Sequence, residues 1–226
     1  MSRLRRLPLT AVAAAVAALT VASPAVAGPP LLCHPFDIGS ASSLPWSGRA
    51  GWFAGRDGYE IANLGADTEA LLTPATPVIV RLETLRRAAI YASRDGRVAA
   101  RLLSTLRERA ERADRTGRPD ALAYLDAAYL TEALRQIAQL DPPGEFRGRG
   151  AAIRQVIGEA DGYALVMRSL AARPDDPSLE FAAALIAAGK NRAEYRAAYE
   201  AHAARARAGA ERDALLARNI RHVSSS

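Results

Sequence analysis

The 226-residue chain contains one cysteine and few aromatic residues, and each scarcity limits the classes of fold or partner that fit the sequence. A single cysteine, Cys33, forms no disulfide within the chain, so packing must stabilise the fold without covalent cross-links. Aromatic residues make up 6% of the chain and seldom accompany the arginines, although stacking platforms for nucleic acids need them. We therefore expect no nucleic-acid partner, despite an isoelectric point of about 10.0.

The sequence also lacks the motifs that mark common catalytic and cofactor sites. It has no C-x-x-C or H-E-x-x-H metal pattern, no G-x-S-x-G nucleophile turn, and no P-loop or dinucleotide-binding glycine pattern. The carboxylates between residues 120 and 145 are not spaced so that any two must meet. We expect no cofactor and no metal ion. A non-enzymatic role is favoured, although the sequence alone leaves the question of enzymatic activity open.

The N-terminus has the pattern of a secretory signal peptide. Arg3, Arg5 and Arg6 precede an apolar stretch over residues 7–21, and a small-x-small cleavage site ends at Ala27. A membrane-spanning helix needs about 20 residues, and the apolar stretch is shorter than that. The alternative to a cleaved signal peptide is an uncleaved N-terminal anchor. We expect cleavage after Ala27, a secreted or periplasmic protein, and no transmembrane segment after cleavage. Cleavage also removes three positive charges from the formal net charge of +6, so the remaining basic character is ordinary.

Residues 28–58 are predicted to form an extended, Pro/Gly-rich arm rather than a helix. Four prolines interrupt any helix there: Pro29, Pro30, Pro35 and Pro45. The segment nevertheless carries apolar side chains that a solvated tail would not have, namely Leu31, Leu32, Phe36, Ile38 and Trp46. We expect the arm to pack across a larger body.

From residue 59 onward, the spacing of apolar residues predicts an all-α body that extends to residue 226. Pro77 is typical of a first helical position, and apolar residues recur every three or four positions from Val78 to Ala89. Similar stripes follow, Gly117 and Gly189 mark helix ends, and no stretch alternates as a strand does. We predict about seven to nine helices with short connections. They form antiparallel helical hairpins that stack as a short α-solenoid or close into an irregular bundle.

About 40 residues near the C-terminus resemble the tetratricopeptide-type helical repeats. The stretch includes RSLAARPDDPSLEFAAALIAAGKNRAEYRAAY, which begins at Arg168. A Pro-Asp-Asp-Pro connection precedes an alanine-rich helix in which Phe181, Ala182, Leu185 and Gly189 match the large-small-large-glycine rhythm of that class. The resemblance implies stacked, TPR-like helical hairpins and a role in binding a partner.

Cys33, His34 and Asp37 form a cluster of chemically reactive side chains in the arm. A thiolate, an imidazole and a carboxylate so close in sequence could ligate a metal ion or form an activated thiol. Adjacent side chains of an extended segment point to opposite sides, however, so Cys33 and His34 do not converge unaided. We therefore favour a structural role, in which Pro35 fixes the chain and Cys33 is buried as a small hydrophobic residue.

Tyr195, Tyr199 and His202 share one face of a predicted helix, where they could line a groove for a ligand. The structural alternative is an amphipathic stripe whose polar ends reach water.

Trp46 and Arg86 are further candidates for binding a partner. Arg86 stands three residues after Glu83, and an inward carboxylate held by arginines could form a site. The structural alternatives are a tryptophan that fixes the arm to the helices and an exposed ion pair on a helix surface.

These features favour an exported helical scaffold that binds a protein or peptide partner in the cell envelope. The reason is that the sequence predicts export and stacked helical hairpins but contains no catalytic motif. One alternative is an enzyme of unknown class that uses Cys33, His34 and Asp37. Another alternative is a carrier that holds a small ligand between its helices. In each case the expected organisation is a signal peptide over residues 1–27, an arm over 28–58 and a helical domain over 59–226.

Overall fold

The structure is a computed structural model that describes residues 30–47, 55–140, 148–190 and 193–223. The predicted signal peptide and its cleavage site lie outside these ranges. The described part contains nine α-helices, which are α1 (Leu64–Leu71), α2 (Val78–Ala92), α3 (Gly96–Arg115), α4 (Ala121–Leu140), α5 (Arg149–Ile157), α6 (Gly162–Ala172), α7 (Pro177–Gly189), α8 (Ala193–Gly209) and α9 (Ala214–Asn219). Short 3-10 helices lie at Ile61–Asn63, Ala210–Arg212 and Ile220–Val223. The all-α prediction is confirmed for these residues, among which there is no β-strand.

Aspartate side chains stand directly before five of the described helices and accept hydrogen bonds from backbone N–H groups of the first turn. They are Asp95 before α3, Asp120 before α4, Asp161 before α6, Asp176 before α7 and Asp213 before α9. The chain leaves α3 through Gly117, whose φ of 62° lies in the left-handed region that favours glycine. Local sequence therefore sets where these helices begin and end.

Helix α4 is the centre of the helical body. Nearly all of its residues are buried, and it packs against α2, α3, α5, α6 and α7. Helices α2 and α7 are also buried along almost their whole length, and alanine at many of these positions lets neighbouring helices approach closely. None of the described helices combines the length and the apolar character that crossing a membrane requires.

A buried ion pair joins α2 to α4. Arg81 donates from Nε and Nη2 to the two carboxylate oxygens of Asp126, at 2.8 and 2.6 Å, and both side chains are 1% exposed. Arg81 also donates to the carbonyls of Leu72 and Thr73, which precede α2. The pair therefore fixes both the contact between the two helices and the connection that enters α2.

Helices α6, α7 and α8 form a layer with α7 in the middle. Helix α8 makes the most extensive helix–helix contact of the described part with α7, and α6 also packs along α7. This layer contains the stretch that resembles a tetratricopeptide repeat.

The N-terminal segment, defined here as residues 30–47, contains no α-helix and lies against the helical body. Leu31, Leu32 and Leu44 are completely buried, and Phe36 is 4% exposed. The ring of Phe36 lies edge-on to the ring of Tyr129, with 6.5 Å between the ring centroids. The apolar side chains of the segment are therefore part of the hydrophobic core.

Candidate functional site

A buried polar cluster on α2 holds the N-terminal segment against the body. Glu83 accepts hydrogen bonds from Nε and Nη2 of Arg86 at 2.8 and 2.9 Å, from Nε of Arg87 at 2.7 Å, and from the backbone N–H of Phe36 at 3.0 Å. The side chains of Glu83 and Arg86 are both completely buried. The interpretation of this pair as exposed was therefore wrong, because the same sequence spacing occurs on buried and exposed helix faces.

Other side chains of the body bind backbone atoms of the N-terminal segment. The N–H of Leu31 donates to Oε1 of Gln136 at 3.0 Å, and the carbonyl of Leu31 accepts from Oη of Tyr129 at 2.8 Å. Asn219 accepts from the N–H of Asp37 at 2.8 Å and donates to its carbonyl at 2.9 Å. These bonds satisfy backbone groups that neither a helix nor a sheet satisfies.

Trp46 and Arg86, two of the predicted binding residues, meet near the end of the N-terminal segment. The guanidinium of Arg86 lies 4.9 Å from the ring centroid of Trp46, and that of Arg87 lies 5.7 Å from it. The ring of Trp46 is also edge-on to Tyr91, and its backbone pairs with Gly55 in an isolated antiparallel bridge. Both residues thus fasten the segment to the body.

Cys33, His34 and Asp37 do not form one site. Cys33 is half-buried, and burial raises the pKa of its thiol, which is the opposite of what an activated thiol requires. His34 is exposed and its ring lies beside that of His222, with 5.7 Å between centroids. The carboxylate of Asp37 accepts a hydrogen bond from the N–H of Gly39 at 2.9 Å. Within the described ranges, no three His, Cys, Asp or Glu side chains lie close enough together to hold a metal ion.

His202 is buried in a hydrogen-bonded chain that joins α6, α7 and α8. Its Nδ1 lies 2.5 Å from Oε2 of Glu180, and its Nε2 lies 3.1 Å from Oη of Tyr163. Arg205 donates from Nε to the other oxygen of Glu180 at 2.7 Å. Nη2 of Arg205 also lies 2.9 Å from Nδ1, so His202 contacts Glu180 and Arg205 through one ring nitrogen and Tyr163 through the other. Together with Tyr195, these four residues are called the His202 cluster below.

Two of the three predicted α8 residues belong to this cluster, and the third does not. The ring of Tyr195 lies edge-on to that of Tyr163, with 5.1 Å between their centroids. Tyr199 packs against the hydrophobic core instead, and burial raises its pKa. The predicted face of Tyr195, Tyr199 and His202 is therefore divided between a surface site and the interior.

The hydroxyl of Tyr163 in the His202 cluster is not activated. Burial, followed by the neighbouring Tyr195, raises the pKa of Tyr163, so its side chain stays a phenol at neutral pH. The chain from Glu180 through His202 to Tyr163 therefore fixes the orientation of a tyrosine ring and does not generate a tyrosinate nucleophile.

Helix α6 also carries an exposed apolar side chain, Met167. Its side chain is 39% exposed, and it is the one exposed large apolar side chain among the residues that the structure describes. Met167 follows Tyr163 by four residues, so both lie on the same side of α6. Arg205 is 53% exposed nearby on α8. Tyrosine, methionine and arginine are residue types enriched in protein–protein interfaces.

Sequence reasoning missed Tyr163, Glu180, Met167 and Arg205. The one signal was the Asp161-Gly162 break, which places Tyr163 in the first turn of α6. The spacing of residues within one helix cannot show which residues of another helix they contact.

Two open depressions lie elsewhere on the described surface. The larger has a volume of about 390 Å³ and lies between α3 and α5, where Arg107 donates to the carbonyl of Ile157 at 3.0 Å. The smaller has a volume of about 230 Å³ and is lined by residues that include Pro45 and Tyr59. Neither depression contains a residue of the His202 cluster.

No family model, curated protein or solved structure matches this chain. Function is therefore inferred from the contacts, burial and charges of the described residues.

Proposed function

We propose that the protein is an exported helical scaffold that binds a protein or peptide partner through the outer surface of α6 and α8. Tyr163, Met167, Tyr195 and Arg205 form this partner surface. The observation that carries the proposal is the exposed Met167 one helical turn after Tyr163, whose ring contacts Tyr195 and whose hydroxyl is bonded to the buried His202.

The rigidity of the partner surface supports this role. Glu180 and His202 are buried and hydrogen-bonded, so Tyr163 is already oriented before a partner arrives. Tyrosine offers a large contact area at a low cost in conformational entropy, and binding loses less free energy when the surface is pre-ordered. Aromatic residues and arginine also carry most of the binding free energy in measured interfaces.

We further propose that α6, α7 and α8 form a TPR-like unit within an otherwise irregular bundle. The packing of α6 and α8 on either side of α7 supports this proposal. In helical-repeat proteins such stacked hairpins present extended surfaces to partners. The N-terminal arm, in this proposal, is a fixed part of the same body.

The signal-like N-terminus supports export, so the partner is proposed to lie in the cell envelope or outside the cell. The two alternative functions have less support. An enzyme that uses Cys33 requires a thiol with a lowered pKa, whereas burial raises this one. A small-ligand carrier requires a cavity between helices, whereas both depressions above are open to solvent.

The test compares two substitutions that introduce the same charge at exposed helix positions. Met167→Asp places a carboxylate in the partner surface, and Ala100→Asp places one at an exposed position of α3, beside the larger depression. The wild-type protein and both variants, each beginning at Gly28, are immobilised and exposed to the envelope fraction of the source cells. Bound proteins are then quantified by mass spectrometry, and candidate partners are purified for affinity measurements.

We expect Met167→Asp to weaken binding of a wild-type partner by about tenfold or more and Ala100→Asp to leave it unchanged. Both variants should keep the wild-type unfolding midpoint, since both positions are exposed. Equal binding by Met167→Asp and wild type would overturn the proposal, as would equal losses in both variants or a wild-type protein that retains no specific partner.

A further inference from the structure

His222 lies where the N-terminal segment meets the helical body. Its ring centroid is 5.4 Å from that of Phe36 and 5.7 Å from that of His34 in the segment, and 6.5 Å from that of Phe181 in α7. Its Nε2 is buried and has no hydrogen-bond partner among the described residues. A neutral imidazole is tolerated here, whereas an imidazolium would place a charge and a second N–H donor among aromatic rings.

Most charged groups around His222 oppose a positive charge on its ring. His34 in the N-terminal segment and Arg221 on the same 3-10 helix both act in this direction. Arg207 reaches over from α8 and donates to the carbonyl of the neighbouring Val223 at 2.8 Å. Helix α7 faces His222 through the aromatic ring of Phe181.

The acidic groups near His222 are already engaged. Glu83 on α2 attracts a positive charge on His222, but its oxygens are bonded to Arg86, Arg87 and the N–H of Phe36. In the N-terminal segment, the carboxylate of Asp37 accepts a hydrogen bond from Gly39 and lies 3.8 Å from Nη1 of Arg218 on α9. Protonation of His222 therefore gains little from nearby carboxylates.

We propose that acidification opens the N-terminal segment locally, at residues 33–37, because protonated His222 disrupts its contact with the body. His222 is structurally close to the contacts that hold the segment, because Asn219, one turn before His222, makes both hydrogen bonds to the backbone of Asp37. Opening uncovers Phe36 and Cys33 and leaves the helical body folded. The segment then acts as an acid-sensitive cover over part of the core.

The far end of the segment is held separately and stays closed. Arg87 donates to the carbonyl of Leu44 at 2.5 Å, and Tyr91 donates to the carbonyl of Pro45 at 2.6 Å. Neither contact involves His222. Leu31, at the start of the segment, is likewise held by Gln136 and Tyr129, so the opening is confined to residues 33–37.

The expected size follows from the linkage between protonation and opening. Burial, followed by His34 and Arg221, lowers the pKa of His222 from 6.5 to about 4 in the closed form. In the open form the ring is solvated and regains its ordinary pKa, so opening gains protons as the pH falls from 6.5 through 4. The full pKa shift would make the open population at pH 5 about 30-fold larger than at a pH well above 6.5. Because the ring is partly exposed, we expect a smaller increase of about tenfold.

Amide hydrogen exchange of the whole protein tests this proposal. The N–H of Phe36 is buried and bonded to Glu83, so it exchanges through opening of the segment. Its exchange rates at pH 7 and pH 5 are divided by the intrinsic rates at the same pH values, and the N–H of Ala128 in α4 reports global unfolding. We expect the protection of Phe36 to fall about tenfold between pH 7 and pH 5, and that of Ala128 to change much less.

The His222→Phe variant keeps an aromatic ring and removes the titrating nitrogens. In this variant we expect the protection of Phe36 to be independent of pH. A similar fall in the variant would assign the effect to Glu83 or another group and overturn the proposal, as would unchanged protection in wild type. If the variant does not fold, an NMR titration of His222 in wild type decides the matter. Proton uptake together with the loss of Phe36 protection supports the proposal, and uptake complete above pH 6 overturns it.

Discussion

Replacing Glu83 by glutamine is expected to destabilise the protein by about 3 to 5 kcal/mol, the range for breaking a buried ion pair. Glu83 is completely buried and accepts four hydrogen bonds, two of them from Arg86. Glutamine keeps the size of the side chain but loses the negative charge and one acceptor oxygen. Because Arg86 is also completely buried, its positive charge loses the carboxylate that accepts two of its hydrogen bonds.

The measurement is urea unfolding followed by circular dichroism, with a thermal melt of the same samples. For a domain of this size each kcal/mol lowers Tm by about 2 to 4 °C, so we expect a loss of about 6 to 20 °C. Glu108→Gln is the matched control. Glu108 lies on the exposed side of α3 and accepts a hydrogen bond from Ser104, so its replacement should cost no more than about 0.5 kcal/mol.

A second variant, Arg86→Met, separates the ion pair from other effects of the substitution. Alone it should cost about as much as Glu83→Gln, since it leaves a buried carboxylate with fewer partners. The double variant should cost clearly less than the sum, because the buried charges are then removed together. A loss below about 1 kcal/mol for Glu83→Gln, or additive losses in the double variant, would refute this reasoning.

Three further substitutions test the packing of the body, each by urea unfolding. Asp126→Asn should cost about 3 to 5 kcal/mol, because Arg81 is left buried without a carboxylate partner; a cost below 1 kcal/mol would contradict this. Gly162→Ala should cost about 1 to 3 kcal/mol, because a Cβ there would lie 2.7 Å from the carbonyl oxygen of Ala128; an unchanged midpoint would show that the helices separate freely. Asp176→Ala should cost about 1 kcal/mol by removing the N-cap of α7, whereas Asp176→Asn should cost little.

The helices could be predicted from the sequence because their determinants are local. The start of α2 after Pro77 and the end of α3 at Gly117 depend on residues within one turn of the boundary. The burial of Leu31 and Phe36 follows from a similar argument, since apolar side chains in a proline-rich stretch need a surface to cover.

The buried polar contacts could not be predicted, because they depend on which helices become neighbours. Glu83 and Arg86 stand three residues apart, and the same spacing serves an exposed pair equally well. His202 meets Glu180 across 22 residues of chain and Tyr163 across 39. The sequence pattern of a single helix contains no information about contacts of that range.

The central claim is that α6 and α8 carry the surface that binds a partner. It is tested most directly by amide hydrogen exchange of the wild-type protein, with and without the partner captured by it. We predict added protection within residues 162–172 and 193–209, and none in α3 or the N-terminal segment. Added protection in α3 or the N-terminal segment, with none in α6 and α8, would contradict the account.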